Sequence, residues 1–209
     1  MKLVEIPGFL NDNTVKQIVD IISGHTKIKQ GLAWGFAGNV NDGEIESFAN
    51  VPGIVLDLTR DLIDYHMMTK PIPDMIVNPL YELTNQLVFD MVKKSLEFDI
   101  TMTELHRLRY NILFGSLVEG PHLPHVDDSV LCEDGREHWV GILHLHGDGP
   151  TYIFDKKWSG EKDTDMSGVD YKIIDFEPGK LTIFDGNYYH ASTSPKNNNW
   201  RLVINMNLS

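Results

Sequence analysis

Three side chains in the second half of the chain could together hold a metal ion. His125 and Asp127 are separated by one residue. Alternate residues of a β-strand point to the same face, so this spacing places an imidazole and a carboxylate side by side. His190, which follows Asp127 by 63 residues, is the best candidate for a third ligand. Two histidines and one carboxylate with open coordination positions are typical of non-haem Fe(II) sites, so the residue types predict an open metal site.

Arg201 adds a cation to this predicted site. It follows His190 by eleven residues and begins a strand of alternating character. Alternation separates two faces, one with Arg201, Val203 and Asn205 and the other with Trp200, Leu202 and Ile204. An arginine that points into a strand-built cavity needs an anion, and a bidentate carboxylate is its natural partner. Because the predicted metal triad supplies no spare carboxylate, Arg201 predicts a carboxylate on a bound small molecule.

Helical periodicity dominates the chain before residue 100. The first predicted helix carries the stripe Val15, Ile18, Val19 and Ile22, with residues 11 to 13 as candidate N-caps and Gly24 as its stop. A second stripe consists of Val55, Leu58, Leu62 and Tyr65. A third helix is predicted to start at Asn78-Pro79 and to run to about Glu97. Residues 28 to 50 predict a strand pair or an ordered loop.

After residue 100 the hydrophobic period changes to two. A short strand is also predicted at the start of the chain, from Val4 to Phe9. The later predicted strands are 106–114, 138–146, 151–155, 170–176, 180–185 and 200–207, separated by clusters of Pro, Gly and Asn. This order predicts one α+β domain over residues 1–209. Residues 1–100 would give mainly helical support, and residues 101–209 a β-barrel or sandwich core.

Composition narrows the class of protein. Hydrophobic residues make up 42% and charged residues 23% of the chain, as in globular domains. The net charge of −12 argues against binding to nucleic acids or anionic membranes through overall charge. Cys132 is the only cysteine, which excludes an intramolecular disulfide and a Cys-rich metal site. No signal peptide or membrane-spanning run is recognisable, so a cytoplasmic location is expected.

The order of these residues resembles the 2-oxoglutarate/Fe(II)-dependent dioxygenases, and within them the prolyl-4-hydroxylase-like branch. The resemblance begins with His125-x-Asp127, His190 and Arg201. The R-Y-N segment of that branch, followed by a Gly, is similar to Arg109-Tyr110-Asn111 with Gly115. Further similar segments are Gly149-Pro150-Thr151-Tyr152-Ile153-Phe154 and Glu177-Pro178-Gly179. The resemblance covers most of the chain and is strongest from residue 105 to 207.

This resemblance implies a double-stranded β-helix, also called a jelly roll, buttressed by N-terminal helices. It implies that His125, Asp127 and His190 hold Fe(II) and that Arg201 binds the distal carboxylate of 2-oxoglutarate. Tyr110 matches a family tyrosine that donates a hydrogen bond to the same cosubstrate. The implied reaction uses O2, with ascorbate as a possible reductant, hydroxylates a C–H bond of the substrate, and releases succinate and CO2.

Two positions depart from the family pattern. Val203 stands where many relatives carry a Ser or Thr two residues after the arginine, so another hydroxyl is needed for the cosubstrate. Ala191 replaces the glycine that follows the distal histidine in the branch. Many prolyl hydroxylases carry Lys at the position of Arg201, so the substrate of this chain need not be theirs.

Other polar residues near the motif are given structural interpretations. His144-x-His146 could supply two ligands of a cupin-type site, but no Glu follows at the cupin interval, which favours strand or cavity histidines. Asp128 points away from Asp127 and is interpreted as a capping or exposed acid. His122 fits either the mouth of the site or the end of a strand. Asn205 is a candidate polar contact in the cavity.

Two other functions remain compatible with the residues. One is a jelly-roll module that binds a metal without catalysis, and the other is a zinc hydrolase on the same triad, which leaves Arg201 without a partner. The substrate of an oxygenase is open: a protein residue, amino acid, peptide, lipid or nucleobase, with a nucleic-acid backbone disfavoured by the acidic charge. Substrate entry is expected over residues 28–50 and the loop 156–169.

Overall fold

The structure is a computed structural model that describes residues 1–24, 35–37, 53–57, 79–115 and 120–209. Its helices are α1 (Asp12–Ile22), α2 (Pro79–Ser95) and the short α3 (Ser129–Glu133), and a single 3₁₀ turn at Leu96–Phe98 follows α2. Its strands are β1 (Leu3–Ile6), β2 (Gly35–Ala37), β3 (Gly53–Asp57), β4 (Leu105–Phe114), β5 (Trp139–His146), β6 (Thr151–Lys157), β7 (Tyr171–Ile174), β8 (Leu181–Asp185), β9 (Tyr188–Ser192) and β10 (Trp200–Leu208).

Two antiparallel sheets pack face to face. The major sheet has seven strands in the order β1-β8-β5-β10-β4-β3-β2, and the minor sheet has the order β7-β6-β9. Val140 and Val203 of the major sheet share a buried cluster with Ile153, Ile174 and Tyr188 of the minor sheet. The arrangement is a double-stranded β-helix, as expected from the sequence.

The helices cover the outer face of the major sheet. Asn11 caps α1 by accepting a hydrogen bond from the backbone amide of Thr14 at 3.0 Å, and the buried stripe of α1 includes Val15 and Ile18. Helix α2 lies so close to β5 that a Cβ on Gly141 would come within 2.8 Å of the Met91 sulfur. This packing leaves the opposite face of β5 and β10 turned towards the minor sheet.

Most of the predicted elements are confirmed. The helices from residues 12 and 79, the opening strand and the six later strands lie where the sequence places them. Strand β9 and helix α3 were not predicted. The second helical stripe is wrong at Val55, which lies in β3 because it pairs with Asn111 of β4. Residues 58 to 65 lie outside the described residues.

The first hundred residues contribute strands as well as helices. Strands β1, β2 and β3 belong to the same major sheet as the later strands, so the predicted division at residue 100 does not separate support from core. The predicted loop or strand pair at 28–50 is described only at 35–37, which forms β2. Within the described parts of the chain, no helix combines the length and apolar character needed to cross a membrane.

Candidate metal centre

A cavity of about 260 Å³ lies between the two sheets. Its walls come from the inner faces of β4 and β10, from β6 and β9, and from the loop before α3. The face of β10 that carries Arg201, Val203 and Asn205 lines the cavity, as alternation predicts. His125, Asp127 and His190 line the same cavity.

Backbone pairing brings the three predicted metal ligands together. His125 forms an isolated antiparallel bridge with His190 on β9, in which each amide donates to the carbonyl of the other at 3.0 and 2.9 Å. Asp127 follows in the loop that leads to α3. The ligand atoms of all three residues lie within 4.8 Å of one another. Spacing along the chain does not predict that these residues meet. The backbone bridge between the segments of His125 and His190 is what brings the third ligand to the other two.

Both histidines present the same nitrogen to the centre of the triad. His125 Nδ1 lies 3.1 Å from the carbonyl oxygen of Leu123, and His190 Nδ1 lies 3.3 Å from that of Tyr188. A carbonyl can only accept, so both Nδ1 atoms donate, and in the neutral rings both Nε2 atoms carry lone pairs. The Nε2 atoms lie 3.7 and 3.6 Å from the carboxylate oxygens of Asp127.

The carboxylate of Asp127 is fixed by two other side chains. Arg107 contacts Oδ1 at 2.5 Å and donates to the backbone carbonyl of Asp127 at 3.1 Å. Asn205 donates from Nδ2 to Oδ2 at 3.0 Å. Burial on its own would raise the pKa of Asp127, but the positive charge of Arg107, with smaller effects from the two histidines, holds that pKa well below its usual range. The carboxylate is therefore ionised at neutral pH.

The protonation states suit a metal ion. Burial, followed by the neighbouring His190, lowers the pKa of His125 to about 4, so this imidazole is neutral at pH 7. The buried Nε2 of His190 has no hydrogen-bond partner, which is costly for a polar atom that faces no ligand. Neutral imidazoles and an ionised carboxylate are the states that metals require. These donors fit a divalent ion held by two nitrogens and one oxygen.

Arg201 is a buried cation at the other side of the cavity. Its side chain is 1% exposed. Its guanidinium donates to the hydroxyl of Thr151 at 2.9 Å and to the carbonyl of Thr193 at 3.3 Å, packs over the ring of Phe176, and leaves Nε without a partner. Burial lowers the pKa of Arg201 to about 10, which leaves it charged at neutral pH. No carboxylate of the described residues forms an ion pair with it.

The hydroxyl of Thr151 lies in the same cavity as the apolar side chain of Val203. Both residues line the cavity, and the Thr151 hydroxyl lies directly against the Arg201 guanidinium. A hydroxyl beside the guanidinium of Arg201 therefore comes from β6 of the minor sheet and not from β10.

The structure does not bring Tyr110 to the cavity. Tyr110 lies on the outer face of β4, fully buried beneath α2, and its hydroxyl is 2.6 Å from that of Thr84. Burial raises its pKa. Tyr110 does share a face with Leu108 and Ile112, but this is the core face, and the cavity face of β4 carries Arg107, Arg109 and Asn111.

The remaining candidates have structural roles among the described residues. The ring of His144 packs edge-on against Phe176, and that of His146 packs against Trp200, so neither joins the triad. Asp128 caps α3 by accepting from the amide of Leu131, as predicted. Buried His122 is held between the hydroxyls of Ser192 and Ser194.

Arg107 and Thr151 were not predicted as site residues. A signal for Arg107 was present, because a central strand that alternates Arg107, Arg109 and Asn111 with apolar residues must turn its polar face to a cavity. Thr151 had no such signal, since its place beside Arg201 depends on the packing of two sheets.

Comparison with known structures first identifies the class of fold. No protein-family model and no curated protein matches the sequence. Solved structures of non-haem 2-oxoglutarate-dependent oxygenases match 99% of the chain, at sequence identities that speak for the fold alone. The predicted double-stranded β-helix is therefore confirmed.

Three proteins of known structure illustrate the likeness. The non-heme alpha ketoglutarate dependent epimerase SnoN from nogalamycin biosynthesis has a TM-score of 0.61 and 10% identity, with 77% of its chain covered. SnoN also has a structure in complex with Fe3+, alpha ketoglutarate and nogalamycin RO. A 2OG-Fe(II) oxygenase family oxidoreductase from Burkholderia pseudomallei has a TM-score of 0.59 and 10% identity over 85% of its chain. A Pseudomonas putida prolyl-4-hydroxylase has a TM-score of 0.52 and 13% sequence identity, with 91% of its chain covered.

Proposed function

We propose that the chain is a 2-oxoglutarate- and Fe(II)-dependent dioxygenase that hydroxylates its substrate. The observation that carries this proposal is the pairing of two features in one cavity. The triad of His125, Asp127 and His190 lies at one side of the cavity. The buried cation of Arg201, which has no ion pair with a carboxylate of the described residues, lies at the other. A metal-binding module or a hydrolase needs the first feature but has no use for the second.

The metal end of the cavity is prepared by its surroundings. His125, Asp127 and His190 would hold Fe(II) through two Nε2 atoms and one carboxylate oxygen. The carbonyls of Leu123 and Tyr188 fix the orientation of the two rings. Hydrogen bonds from neighbouring groups of this kind set the tautomer of a ligand and its basicity. A three-ligand set leaves coordination positions open for other molecules.

The other end of the cavity is suited to the distal carboxylate of 2-oxoglutarate. Arg201 can offer a guanidinium to two carboxylate oxygens, and Thr151 adds a hydroxyl beside it. The wall between this pair and the triad includes Ile142 and Val203, which limit the room for water. When bound, Fe(II), 2-oxoglutarate and O2 supply the oxidising chemistry, and the cosubstrate leaves as succinate and CO2.

Hydroxylation is distinguished from other oxidative outcomes by the fate of the oxygen atoms. The printed names of similar structures include an epimerase as well as a prolyl-4-hydroxylase, so this fold serves more than one outcome. Hydroxylation predicts one atom of ¹⁸O2 in the product, whereas an epimerisation introduces none. Mass spectrometry of the product therefore separates the two.

The proposed function is tested by cosubstrate binding and turnover. Anaerobic protein with Fe(II) and 2-oxoglutarate should develop a weak visible charge-transfer band, and admission of O2 with ascorbate should release succinate slowly without any substrate. His190→Ala should abolish both signals. His106→Ala is the matched control, because His106 lies outside the cavity and contacts Ser209.

The alternative functions make different predictions for the same samples. A folded, metal-loaded protein with neither band nor succinate would be a metal-binding jelly-roll module and would refute the proposal. Metal analysis after anaerobic purification separates an iron protein from a zinc hydrolase.

A further inference from the structure

The cavity is cationic although the chain is acidic. The whole chain has a net charge of −12. The charged residues that line the cavity, among those the structure describes, are the cations Arg107, Arg109, Lys162 and Arg201 and one carboxylate, Asp127. A cavity with low-dielectric walls focuses such a field and raises the local concentration of anions. The site is therefore electrostatically unlike the rest of the molecule.

The proposed reaction uses only part of this positive charge. Arg107 forms its ion pair with Asp127, and Arg201 is assigned to the cosubstrate. Arg109 and Lys162 also line the cavity, but the metal and 2-oxoglutarate do not require them. Arg109 is half-buried on the inner face of β4, where it pairs in register with Asn205, a neighbour of the triad. It is therefore close to where a substrate would meet the metal.

Lys162 is held over the cavity by the loop between β6 and β7. The hydroxyl of Tyr189 donates to the carbonyl of Glu161 at 3.2 Å and accepts from the amide of Asp163 at 3.0 Å. The residues on both sides of Lys162 are thus fastened to one tyrosine, the residue directly before His190. Lys156 adds a 2.6 Å ion pair to Asp163. Lysines on a solvated loop do not need such fixation, so the backbone of Lys162 is specifically positioned.

We propose that the substrate is an anion whose carboxylate or phosphate group is bound by Lys162, in the cavity that Arg109 also lines. This inference rests on the proposed function, because it assigns the substrate of the same site. It changes the expectation drawn from overall charge: an acidic protein disfavours a polyanion on its surface, but this cavity favours a small molecule or side group with a localised negative charge. Charge-assisted hydrogen bonds to such a group are stronger than neutral ones.

The first test uses inorganic phosphate and acetate as probes. Each is titrated by calorimetry into protein that carries one equivalent of Zn(II), with and without saturating 2-oxoglutarate. We expect at least one probe to bind in the presence of the cosubstrate, and Lys162→Gln to weaken that binding about tenfold. Binding should also weaken as the salt concentration rises, because exposed charges are screened. The preference between the probes distinguishes a phosphate site from a carboxylate site.

Two further variants separate a site from general surface charge. Lys172→Gln removes an exposed lysine of β7 that does not line the cavity, and it should leave probe binding unchanged. Tyr189→Phe removes the hydroxyl that fixes both neighbours of Lys162, and it should weaken binding several-fold. Binding of neither probe at low salt, or equal effects of Lys162→Gln and Lys172→Gln, would overturn the inference.

The second test uses paired compounds under turnover conditions. Carboxylic acids are compared with their primary amides, and phosphate monoesters with their alcohols, by the succinate they release above the substrate-free rate. Anions should stimulate release and their neutral partners should not, and Lys162→Gln should raise KM more than it lowers kcat. Equal stimulation by neutral partners contradicts the inference. Failure of 2-oxoglutarate to bind contradicts the proposed function instead, and it is measured separately in the same samples.

Discussion

Two arginines at opposite sides of the cavity have opposite surroundings. Arg107 contacts the carboxylate of Asp127 at 2.5 Å, whereas the contacts of Arg201 with the described residues are the neutral Thr151 hydroxyl, the Thr193 carbonyl and an aromatic ring. Register places Arg201 opposite Leu113 on β4, six residues from Arg107, which corresponds to about 20 Å of strand. Among the described residues, one cation has a carboxylate in contact with it and the other does not.

This difference separates a structural role from a binding role. A buried charge without a counter-charge costs free energy, which a protein keeps only where something else compensates. Arg107 fixes a metal ligand, and its compensation is permanent. Under the proposed function, the charge of Arg201 would be compensated when the carboxylate of the cosubstrate binds.

Acidification of the metal-free protein should give the largest effect, with contributions from His125 in the triad and from two histidines near Arg201. Burial, followed by the charge of Arg201, lowers the pKa of His122 to about 4 and that of His144 to about 3. Between pH 6.5 and 4 these histidines therefore bind more protons in the unfolded chain than in the folded protein. As the pH falls through this range, each histidine lowers the free energy of unfolding by up to about 1.4 kcal/mol per pH unit. Urea denaturation at several pH values measures this slope.

Replacement of each arginine tells whether the slope has the stated origin. Arg201→Gln should make it shallower, because the pKa values of His122 and His144 rise when the neighbouring charge is removed. Arg107→Gln should leave the contribution of these two histidines in place. An identical slope in wild type and Arg201→Gln would contradict the assignment.

Arg107→Gln should reduce the stability of the metal-free protein by about 3 kcal/mol, because it leaves the buried carboxylate of Asp127 without its cation. Arg201→Gln should cost far less at neutral pH, since it removes a buried charge that has no carboxylate partner. Urea denaturation at pH 7 compares the two variants directly, with the exposed Arg136→Gln as the control. Equal losses of stability in Arg107→Gln and Arg201→Gln would mean that the two buried charges do not differ in how they are compensated.

Arg201→Gln should weaken 2-oxoglutarate binding about a hundredfold, equivalent to about 2.7 kcal/mol, while the metal remains bound. The reason is that the variant loses the charge-assisted hydrogen bonds to the distal carboxylate but leaves the triad intact. Titration of the cosubstrate into metal-loaded protein measures the change, and metal analysis of the same sample is the internal control. Parallel loss of metal would place Arg201 in the support of the triad instead.

Sequence patterns predicted some of the elements that form the site and missed others. The alternation on β10 identifies the cavity face because Arg201 cannot face the apolar helices, and the striped helices α1 and α2 form where expected. Strand β9 was not predicted because residues 188 to 192 show no alternation of polar and apolar side chains. The strand forms by pairing with β6. Val55 is a strand residue because pairing with β4 outweighs a helical spacing of apolar residues.

Tyr110 shows what alternation cannot decide. A period of two tells which residues share a face, but both faces of β4 are covered, one by helices and one by the minor sheet. Choosing the right face needs the whole strand: its polar residues Arg107, Arg109 and Asn111 turn to the cavity, so Tyr110 turns to the helices. The family resemblance placed the tyrosine by motif, and the packing of α2 gives it another role.

Tyr110→Phe should have the smallest effect and should separate these two roles. The Thr84 hydroxyl lies 2.6 Å from the carbonyl of Leu80 and donates to it, so the Tyr110 hydroxyl donates to Thr84. Loss of this hydrogen bond should cost about 1 kcal/mol of stability. Because the hydroxyl does not face the cavity, the Kd of 2-oxoglutarate should stay within about twofold of wild type. A tenfold weaker Kd without loss of stability would mean that the Tyr110 hydroxyl contacts the cosubstrate. Tyr110 would then have to turn from the helices to the cavity when 2-oxoglutarate binds.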